Sequence, residues 1–483
     1  MQNIGDNNVE IPSTFEGLKL EHLMDDLLVM VMQYLDVEDV FTCRLVSKRL
    51  ESLALLPGVW RHRRLEAKDP WACPVLRLAP CLAKLVVHFP STKRCHWLSA
   101  SARCSVSELE LTVDGDPADV ALTIRSQAAL GRLRRLCVYV KDGVQEKEAA
   151  ALLVAVASTH SLERLRVQFL PKCGIPMSCF LRHALPSPSL KFFQCSLGAN
   201  TDAFYNFILS RHAATLEEVL LEPCVYEAAL TTASWSERRW TLLASITHLR
   251  YLRCPLFPGL EALAKCDSLS KVYLHLSPGS DARLESAVKF LRCTEKLRDL
   301  TLDYRTKDDS TLIAATSAAT LVLVLSSSAR SRATIESLTI LGLKSMWSKP
   351  PLPSVLLEAL ITALPMLPAL RHLEVDRKAA DLLRSITPAT APALRSLRVF
   401  IQEPSCRHSW VHRDPLLALL TTNPLLQLCV PLRDGGKLYC RGDSPCAVCA
   451  LGCHRRLREE RANLVKGKRK YFSWVLLPRD AHD

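Results

Sequence analysis

The chain has 483 residues, enough for two to four ordinary domains or one extended repeat array, and its 48% hydrophobic content excludes wholesale disorder. The formal net charge is +13, but the segment from Pro431 onward holds twelve Lys/Arg and six Asp/Glu and so supplies +6 of it. The rest of the chain is only mildly basic, which bears on solubility and nonspecific partners and not on fold.

The N-terminal sequence does not predict a secretory signal. The N-terminal residues 1–17 have neither the basic nor the apolar region of a signal peptide, and we expect them to be disordered. No apolar run approaches the roughly 18 residues that a membrane span needs. Nineteen cysteines, odd in number and scattered singly, are typical of reduced thiols. We therefore expect a protein of the cytoplasm, the nucleus or both.

Residues 18–65 contain three short helical patterns. Asp25 and Asp26 suit the first turn of a helix. An apolar face follows at i, i+1, i+4, i+5 and i+8, formed by Leu27, Leu28, Val31, Met32 and Leu35. Asp36 can cap a second helix, and Pro57-Gly58 is expected to end a third. Helices this short cannot bury all of this surface among themselves, so some Leu and Met side chains should face a partner.

The same stretch resembles an F-box. The residues that carry the resemblance are, in order, Leu23, Asp26-Leu27-Leu28, Tyr34-Leu35, Asp39-Val40, Leu45-Val46-Ser47-Lys48, Leu53 and Trp60. In that family the motif binds a small Skp-type adaptor, which joins the protein to a cullin–RING ubiquitin ligase. Met24 departs from the family's usual Pro and Ser47 from its frequent Cys. The alternative is a helical cap on the repeats that follow.

The resemblance implies a set of adaptor-binding side chains in this chain. They are Leu23, Leu27, Leu28, Met32, Leu35, Val40, Leu45, Val46 and Trp60.

An apolar signature, L-x-x-L-x-L/V, returns thirteen times between Leu82 and Leu425, with a mean period near 29 residues. That period is typical of leucine-rich repeats. The end of each copy alternates apolar and polar residues as a half-buried strand does, and helical patterns lie between copies. We therefore predict an α/β fold in which a three-helix F-box precedes a horseshoe solenoid of about thirteen degenerate repeats over residues 76–430.

The second, third and fifth positions of each signature should face outward and line the concave face. Over the thirteen copies they hold thirteen Lys/Arg and eight Asp/Glu. One hypothesis is that arginines here grip an acidic or phosphorylated protein segment; the other is a solvated strand face. The candidate substrate-binding residues are Arg134, Arg164, Arg166, Arg250, Tyr251, Arg253 and Tyr273.

The basic tail, residues 431–483, holds Cys440, Cys446, Cys449 and Cys453 within fourteen positions. This spacing is close to that of zinc ligands, so a zinc site and a reduced cysteine cluster that caps the repeats both remain open. No other cofactor is expected. The run Lys466–Lys470 is basic enough for a nuclear signal or a nucleic-acid patch, or for a solvated tail.

Catalytic motifs are missing from the sequence: there is no P-loop, H-E-x-x-H, G-x-S-x-G or G-x-G-x-x-G pattern. We expect a non-catalytic substrate-recognition subunit of an SCF-type ubiquitin ligase, with an unknown protein substrate on the repeats. The alternative is a repeat scaffold without ubiquitin transfer. A nucleic-acid-binding role is less favoured, because the basic and aromatic residues form no recognised module.

Overall fold

A computed structural model describes the backbone of residues 23–89, 102–114, 117–141, 146–169, 187–197, 202–223, 238–276, 281–305, 311–342, 352–376, 380–399, 414–432, 464–466 and 473–477. The chain divides into two compact units, Met1–Leu162 and Glu163–Asp483. The predicted repeat region therefore contributes to both units.

The first unit begins with four short helices and continues with alternating strands and helices. The helices are α1 (Asp25–Met32), α2 (Val37–Val46), α3 (Lys48–Ala54) and α4 (Pro57–Trp60). The following elements are β1 (Arg64–Glu66), α5 (Ala72–Leu78), β2 (Cys81–Phe89), β3 (Ser105–Val113), α6 (Ala118–Ala129), β4 (Arg135–Val140) and α7 (Glu146–Ala157). Strands β1 to β4 pair in parallel and in sequence order.

The N-terminal helices differ from the prediction in number. Proline was expected to end the third helix, but α3 already ends at Ala54 and Pro57 begins α4. Proline suits this first helical position because its missing N–H would have no partner there in any case. The predicted cap at Asp36 holds the N-cap position of α2 without a side-chain hydrogen bond.

The second unit repeats one strand and, in most cases, one helix. Its elements are β5 (Arg164–Phe169), β6 (Phe192–Leu197), α8 (Asp202–His212), β7 (Glu218–Pro223), α9 (Arg238–Ala244), β8 (Tyr251–Pro255), β9 (Lys271–His275), α10 (Asp281–Cys293), β10 (Asp299–Asp303), α11 (Thr311–Ser327), β11 (Ser337–Leu341), α12 (Ser354–Ala363), β12 (His372–Val375), α13 (Ala380–Ser385), β13 (Ser396–Val399), α14 (Asp414–Thr422), β14 (Gln427–Leu432), β15 (Leu464–Lys466) and β16 (Ser473–Leu477). Short 3-10 helices span Leu260–Lys265, Ser331–Ala333 and Leu364–Met366.

Strands β5 to β14 are parallel, each paired with the next along the chain. The last two strands reverse direction: β16 pairs antiparallel with β14 on one side and with β15 on the other. The final parallel strand is thus covered by a segment of the tail.

The predicted fold class is confirmed, because each of the thirteen signatures contains one strand, β2 to β14. Strand β10 illustrates the pattern: Leu300 and Leu302 are 1% and 0% exposed, whereas Asp299 and Thr301 are partly exposed. One detail is corrected. The second position of a signature, such as Arg298, generally precedes the strand and lies at its edge, so only the third and fifth positions face outward from the sheet.

In the part of the chain that the structure describes, no helix has the length and apolar character required to cross a membrane.

Candidate functional site

An apolar surface covers the N-terminal helices. Eight of the seventeen large hydrophobic side chains that are exposed in the described residues lie between positions 24 and 56. On α1, exposed Leu27, Met30 and Val31 are spaced as one helical stripe, which Tyr34 extends just beyond the helix. The remaining four are Met24, Leu45, Val46 and Leu56. A concentration of this kind marks an interaction surface, because water-facing apolar side chains are otherwise scattered singly.

The predicted adaptor-binding residues divide into two groups. Leu27, Leu45 and Val46 are 38%, 88% and 70% exposed and can meet a partner directly. Leu23 and Leu35 are half-buried. The other four form the core of this helical domain and are no more than 3% exposed: Leu28, Met32, Val40 and Trp60.

In the free chain these four residues support the exposed surface from within the helical domain, and their part in adaptor binding stays a prediction. Trp60 shows the reason, since its indole Nε1 donates to the carbonyl of Ala54 at 2.6 Å, and its ring centroid lies 5.7 Å from that of Phe41. A side chain packed and hydrogen-bonded in this way cannot turn outward without leaving a buried polar group unpaired.

Two arginines fix the position of α1. Arg49 forms an ion pair with Asp25 at 2.6 Å and donates to the carbonyl of Leu23. Arg63 donates to the carbonyls of Met32 at 2.6 Å and Val59 at 2.9 Å. Burial lowers the pKa of Arg63. Polar contacts at both ends of α1 thus hold its exposed apolar stripe in place.

The second unit presents a polar sheet face made of two continuous rows of side chains. The third signature positions form one row: Arg164, Phe192, Glu218, Tyr251, Lys271, Asp299, Ser337, His372, Ser396 and Gln427. The fifth positions form the other: Arg166, Gln194, Leu220, Arg253, Tyr273, Thr301, Thr339, Glu374, Arg398 and Cys429. Parallel pairing in register places neighbours within each row on adjacent strands.

A buried carboxylate lies at the C-terminal end of β10. Asp303 is 2% exposed and accepts a hydrogen bond from the Tyr273 hydroxyl at 2.5 Å and from Nε of Arg305 at 2.6 Å. Nδ1 of His275 lies 3.1 Å from the same carboxylate. Burial by itself would raise the pKa of Asp303, but the hydrogen bonds from Arg305 and His275 outweigh it and hold that pKa well below its usual range. The carboxylate is ionised and structural.

Arg253 and Tyr273, both predicted to bind substrate, belong to this internal network. The Arg253 guanidinium contacts Glu222 at 3.3 Å, donates through Nε to Nε2 of His275 at 3.1 Å and lies 4.3 Å from the centroid of the Tyr273 ring. Tyr273 itself is 8% exposed. Arg253 and Tyr273 thus have partners within the sheet face, and their predicted role in substrate binding stays a prediction.

The other predicted residues lie at more exposed positions. Arg250 is paired with Glu217 at 3.9 Å, and the Lys271 ammonium lies 5.3 Å from the centroid of the Tyr251 ring. Arg164 stacks over Phe192 at 4.1 Å, and Arg166 donates to Gln194 at 2.6 Å. Arg134 belongs to the first unit and donates to the carbonyls of Gly131 and Leu133. Each of these side chains has a partner within the chain.

A cavity of about 350 Å³ opens on the sheet face between β8 and β13. Its lining consists of Tyr251, Lys271, Tyr273, Thr301, Ser337, Thr339, Leu341, His372, Leu373, Glu374, Ser396 and Arg398. The hollow forms because short hydroxyl side chains on β10, β11 and β13 stand between longer ones. Only Tyr251 and Tyr273 were predicted as site residues. A run of Ser and Thr at the third and fifth signature positions was the available signal.

The cysteines that were predicted to bind zinc lie in the C-terminal tail. Cys440, Cys446, Cys449 and Cys453 lie outside the described residues, so the possible zinc site stays a prediction. Among the described residues, no group of three or more His, Cys, Asp or Glu is arranged to hold a metal ion.

Cys73 is disulfide-bonded, which departs from the expectation of reduced thiols. Burial raises the pKa of the free thiols of Cys104 and Cys195 to about 12 in each case, so both are protonated and inert.

Comparison with known proteins identifies the N-terminal helices. The model of the F-box domain matches residues 20–62. No curated protein matches the chain. Among solved structures, a chain in the crystal structure of the Rad7 and Elc1 complex in yeast is similar at 13% identity, with a TM-score of 0.31, over 84% of this chain and 92% of that one. The predicted F-box is confirmed: the chain carries an F-box domain followed by strand-and-helix repeats.

Proposed function

We propose that the chain is the non-catalytic substrate-recognition subunit of a cullin–RING ubiquitin ligase of the SCF type. The F-box would bind a Skp-type adaptor, and the sheet face of the repeats would bind a protein target. The observation that carries the proposal is the cluster of exposed apolar side chains on a helical domain that matches the F-box model. The chain would then act by proximity, holding a target near another protein's active site.

Adaptor binding is assigned to the exposed part of the F-box. Leu27, Met30 and Val31 on α1 would be removed from water by the adaptor, together with Leu45 and Val46 at the end of α2. Full burial of one such side chain is worth roughly 1.5–3 kcal/mol, so a few of them can supply much of the binding free energy. Leu23 and Leu35 would border this surface.

Target binding is assigned to the rows of polar side chains on the second unit. Basic, acidic, aromatic and hydroxyl side chains occupy neighbouring strands there, and the cavity of about 350 Å³ gives the face a concave site. Sheet faces of repeat arrays are well suited to extended protein segments because consecutive strands repeat at a regular spacing.

The adaptor role is tested by charging the exposed apolar surface. We expect the double variant Leu45→Asp/Val46→Asp to lose the adaptor and the cullin together in co-purification, by at least about tenfold, while captured targets are retained. Both side chains are exposed, so the fold should persist. The matched control is Leu122→Asp, which changes a 49% exposed leucine on α6 of the same unit and should leave adaptor recovery unchanged. Full adaptor recovery by the double variant would contradict the proposal.

Ubiquitin transfer is distinguished from a scaffold role by the fate of the target. Proximity labelling with the native chain and the double variant identifies proteins captured by both. A target of a ligase subunit should accumulate when only the double variant is present. A target whose abundance and ubiquitin content are unchanged would instead indicate a scaffold.

A further inference from the structure

A second apolar surface lies on the outer helices of the second unit. Of the nine large hydrophobic side chains that are exposed in the described residues outside the F-box helices, five belong to α11, α12 or the 3-10 turn that follows α12. They are Leu312, Ile313, Leu323, Val355 and Met366, here called the helical patch. Helix α11 packs against α12 and also contacts the 3-10 turn. The five residues therefore lie on neighbouring elements and are not scattered singly.

Helix α11 is uncharged over all seventeen of its residues. Its outward stripe is spaced at i, i+4, i+8 and i+11 and consists of Leu312, Thr316, Thr320 and Leu323. The hydroxyl of Thr316 donates to the carbonyl of Leu312 at 3.0 Å, and that of Thr320 donates to the carbonyl of Thr316 at 3.0 Å. Both hydroxyls are satisfied within the helix, so a partner can cover the stripe without leaving a donor unpaired.

Charged side chains border the patch on both sides. Helix α10 packs against α11, and its exposed stripe begins with two acids and ends with two bases: Asp281, Glu285, Lys289 and Arg292. Glu285 and Lys289 form an ion pair at 2.9 Å. On the other side, α13 packs against α12 and has the same order, with Asp381 paired to Arg384 at 2.8 Å. An apolar centre with a polar border is the usual anatomy of a protein interface.

The order of the charges along α10 indicates which partner fits. Acids in the first turns and bases in the last turns suit the dipole of a single helix. When two copies of α10 pack antiparallel, the same order also places each acid opposite a base. Asp281 then lies opposite Arg292 of the second copy, and Glu285 lies opposite Lys289 of the second copy. Both pairs are centred near Ala287, so one two-fold axis generates both of them.

We propose that the helical patch is the interface of a symmetric dimer of this chain, in which α10, α11 and α12 pack antiparallel on the same helices of a second copy. The occupant is a second copy because the surface is complementary to itself. Apolar side chains meet apolar side chains in the middle, and acids meet bases at the border. The inference is independent of the proposed function, since no residue of the F-box or of the sheet face takes part.

The size of the surface suits a reversible dimer. From the rise per residue and the usual spacing of packed helices, α10, α11 and α12 present about 600 Å² in each copy. Two copies would bury about 1,200 Å², which is at the lower end for a specific interface, so a Kd in the micromolar range is expected. Glu358 is the single charged residue of α11 and α12, so few charges lose water on association.

Sedimentation velocity on the full chain between about 1 and 100 µM tests the dimer. We expect a reversible monomer–dimer equilibrium in the native chain. The double variant Leu312→Asp/Ile313→Asp should weaken dimerisation by at least about tenfold, because it places charges in the apolar centre. Both side chains are exposed and lie in the first turn of α11, where acids suit the helix dipole. The fold should therefore persist, which thermal melting checks.

The matched control is Leu45→Asp/Val46→Asp, which charges two adjacent exposed side chains of the F-box. It should change the Kd of the dimer by less than about twofold. Loss of the dimer in this control, with the patch variant unaffected, would place self-association on the F-box and overturn the proposal. A native chain that stays monomeric at the highest concentration would also overturn it and would leave the helical patch to a different protein.

Charge reversal tests the antiparallel arrangement. Glu285→Lys and Lys289→Glu each place like charges opposite one another in the dimer, so each variant alone should dimerise at least about threefold more weakly. An equimolar mixture of the two variants, one of them fluorescently labelled, should regain the native Kd to within about twofold, because a helix with two lysines then faces one with two glutamates. A foreign partner would not produce this recovery. A mixture that binds no better than the single variants contradicts the dimer.

Discussion

His212, the last residue of α8, is buried and must be neutral. Its Nδ1 accepts hydrogen bonds from the backbone amides of Ser189 at 3.3 Å and Leu190 at 3.4 Å, so the proton lies on Nε2. Burial, with a smaller contribution from the charge of Arg211, lowers the pKa of His212 to about 4. Protonation of Nδ1 would turn it from an acceptor into a donor that faces two backbone amide donors. Because the residue is only 5% exposed, water could not relieve this conflict.

This histidine predicts a pH dependence of stability. Its pKa is about 6.5 in an unfolded chain and about 4 in the fold, so the folded state binds fewer protons. Its contribution to the free energy of unfolding is complete above pH 6.5 and is lost as the pH falls toward 4, by up to about 3 kcal/mol. His212→Asn keeps an acceptor near the position of Nδ1 but cannot be protonated. The free energy of unfolding, measured by urea titration between pH 7 and 4.5, should fall less steeply with decreasing pH in the variant than in the native chain. An equal dependence on pH in both would contradict the prediction.

At the scale of elements, the two departures from the F-box pattern have local structural explanations. Ser47 is the N-cap of α3, and its side-chain oxygen accepts a hydrogen bond from the amide of Leu50 at 3.2 Å. Met24 precedes α1 with φ −62° and ψ 148°, close to the angles that a proline would impose. The backbone at position 24 therefore has the proline geometry without the proline ring.

Two substitutions in the F-box should have opposite effects on stability. Met24→Pro should raise the free energy of unfolding by about 0.4–1 kcal/mol, because it restricts the unfolded chain at a residue whose folded φ already suits proline. Ser47→Ala should lower it by about 1 kcal/mol, since an amide of the first turn loses its cap. Urea titration of each variant, followed by tryptophan fluorescence, measures both changes. A destabilising Met24→Pro would show that the entry to α1 has another constraint.

The sequence predicts the strands well because their apolar positions recur locally. Burial of Leu300 and Leu302 follows directly from alternation within β10. The pairing of the polar face could not be predicted in the same way. Arg253 meets His275, and Tyr273 meets Asp303, across 22 and 30 residues of chain. Such contacts depend on strand register and loop length, and no local pattern contains either.

The exposed F-box surface illustrates the same limit. The spacing of Leu27, Leu28, Val31 and Met32 predicts one apolar face on α1, yet Leu28 and Met32 are buried and Leu27 and Val31 are exposed. A broad apolar stripe has an inner and an outer half, and only the position of α3 and α4 decides which half faces the core.

At the scale of the whole molecule, the last parallel strand needs protection because an open strand edge pairs readily with other chains. The tail supplies it, since β16 lies antiparallel along β14 with Leu428 opposite Leu477 and Leu432 opposite Ser473. Terminal repeats of stacked arrays generally require such a cap.

Truncation should reveal the importance of this cap. Removing residues 433–483 exposes the edge of β14, and we expect self-association on size-exclusion chromatography and a lower soluble yield. Removing residues 478–483 leaves β16 complete and serves as the control, which should remain like the native chain. A monomeric, soluble long truncation would mean that β14 needs no cover.

No flexible linker separates the F-box from the first strand. Only three residues separate α4 from β1, and the carbonyl of Arg63 accepts hydrogen bonds from the amides of Ala83 at 2.9 Å and Lys84 at 3.3 Å. Pivoting the F-box at this junction would break the pairing of β1 with β2. In the proposed complex, the adaptor would thus have a fixed orientation relative to β1 and β2.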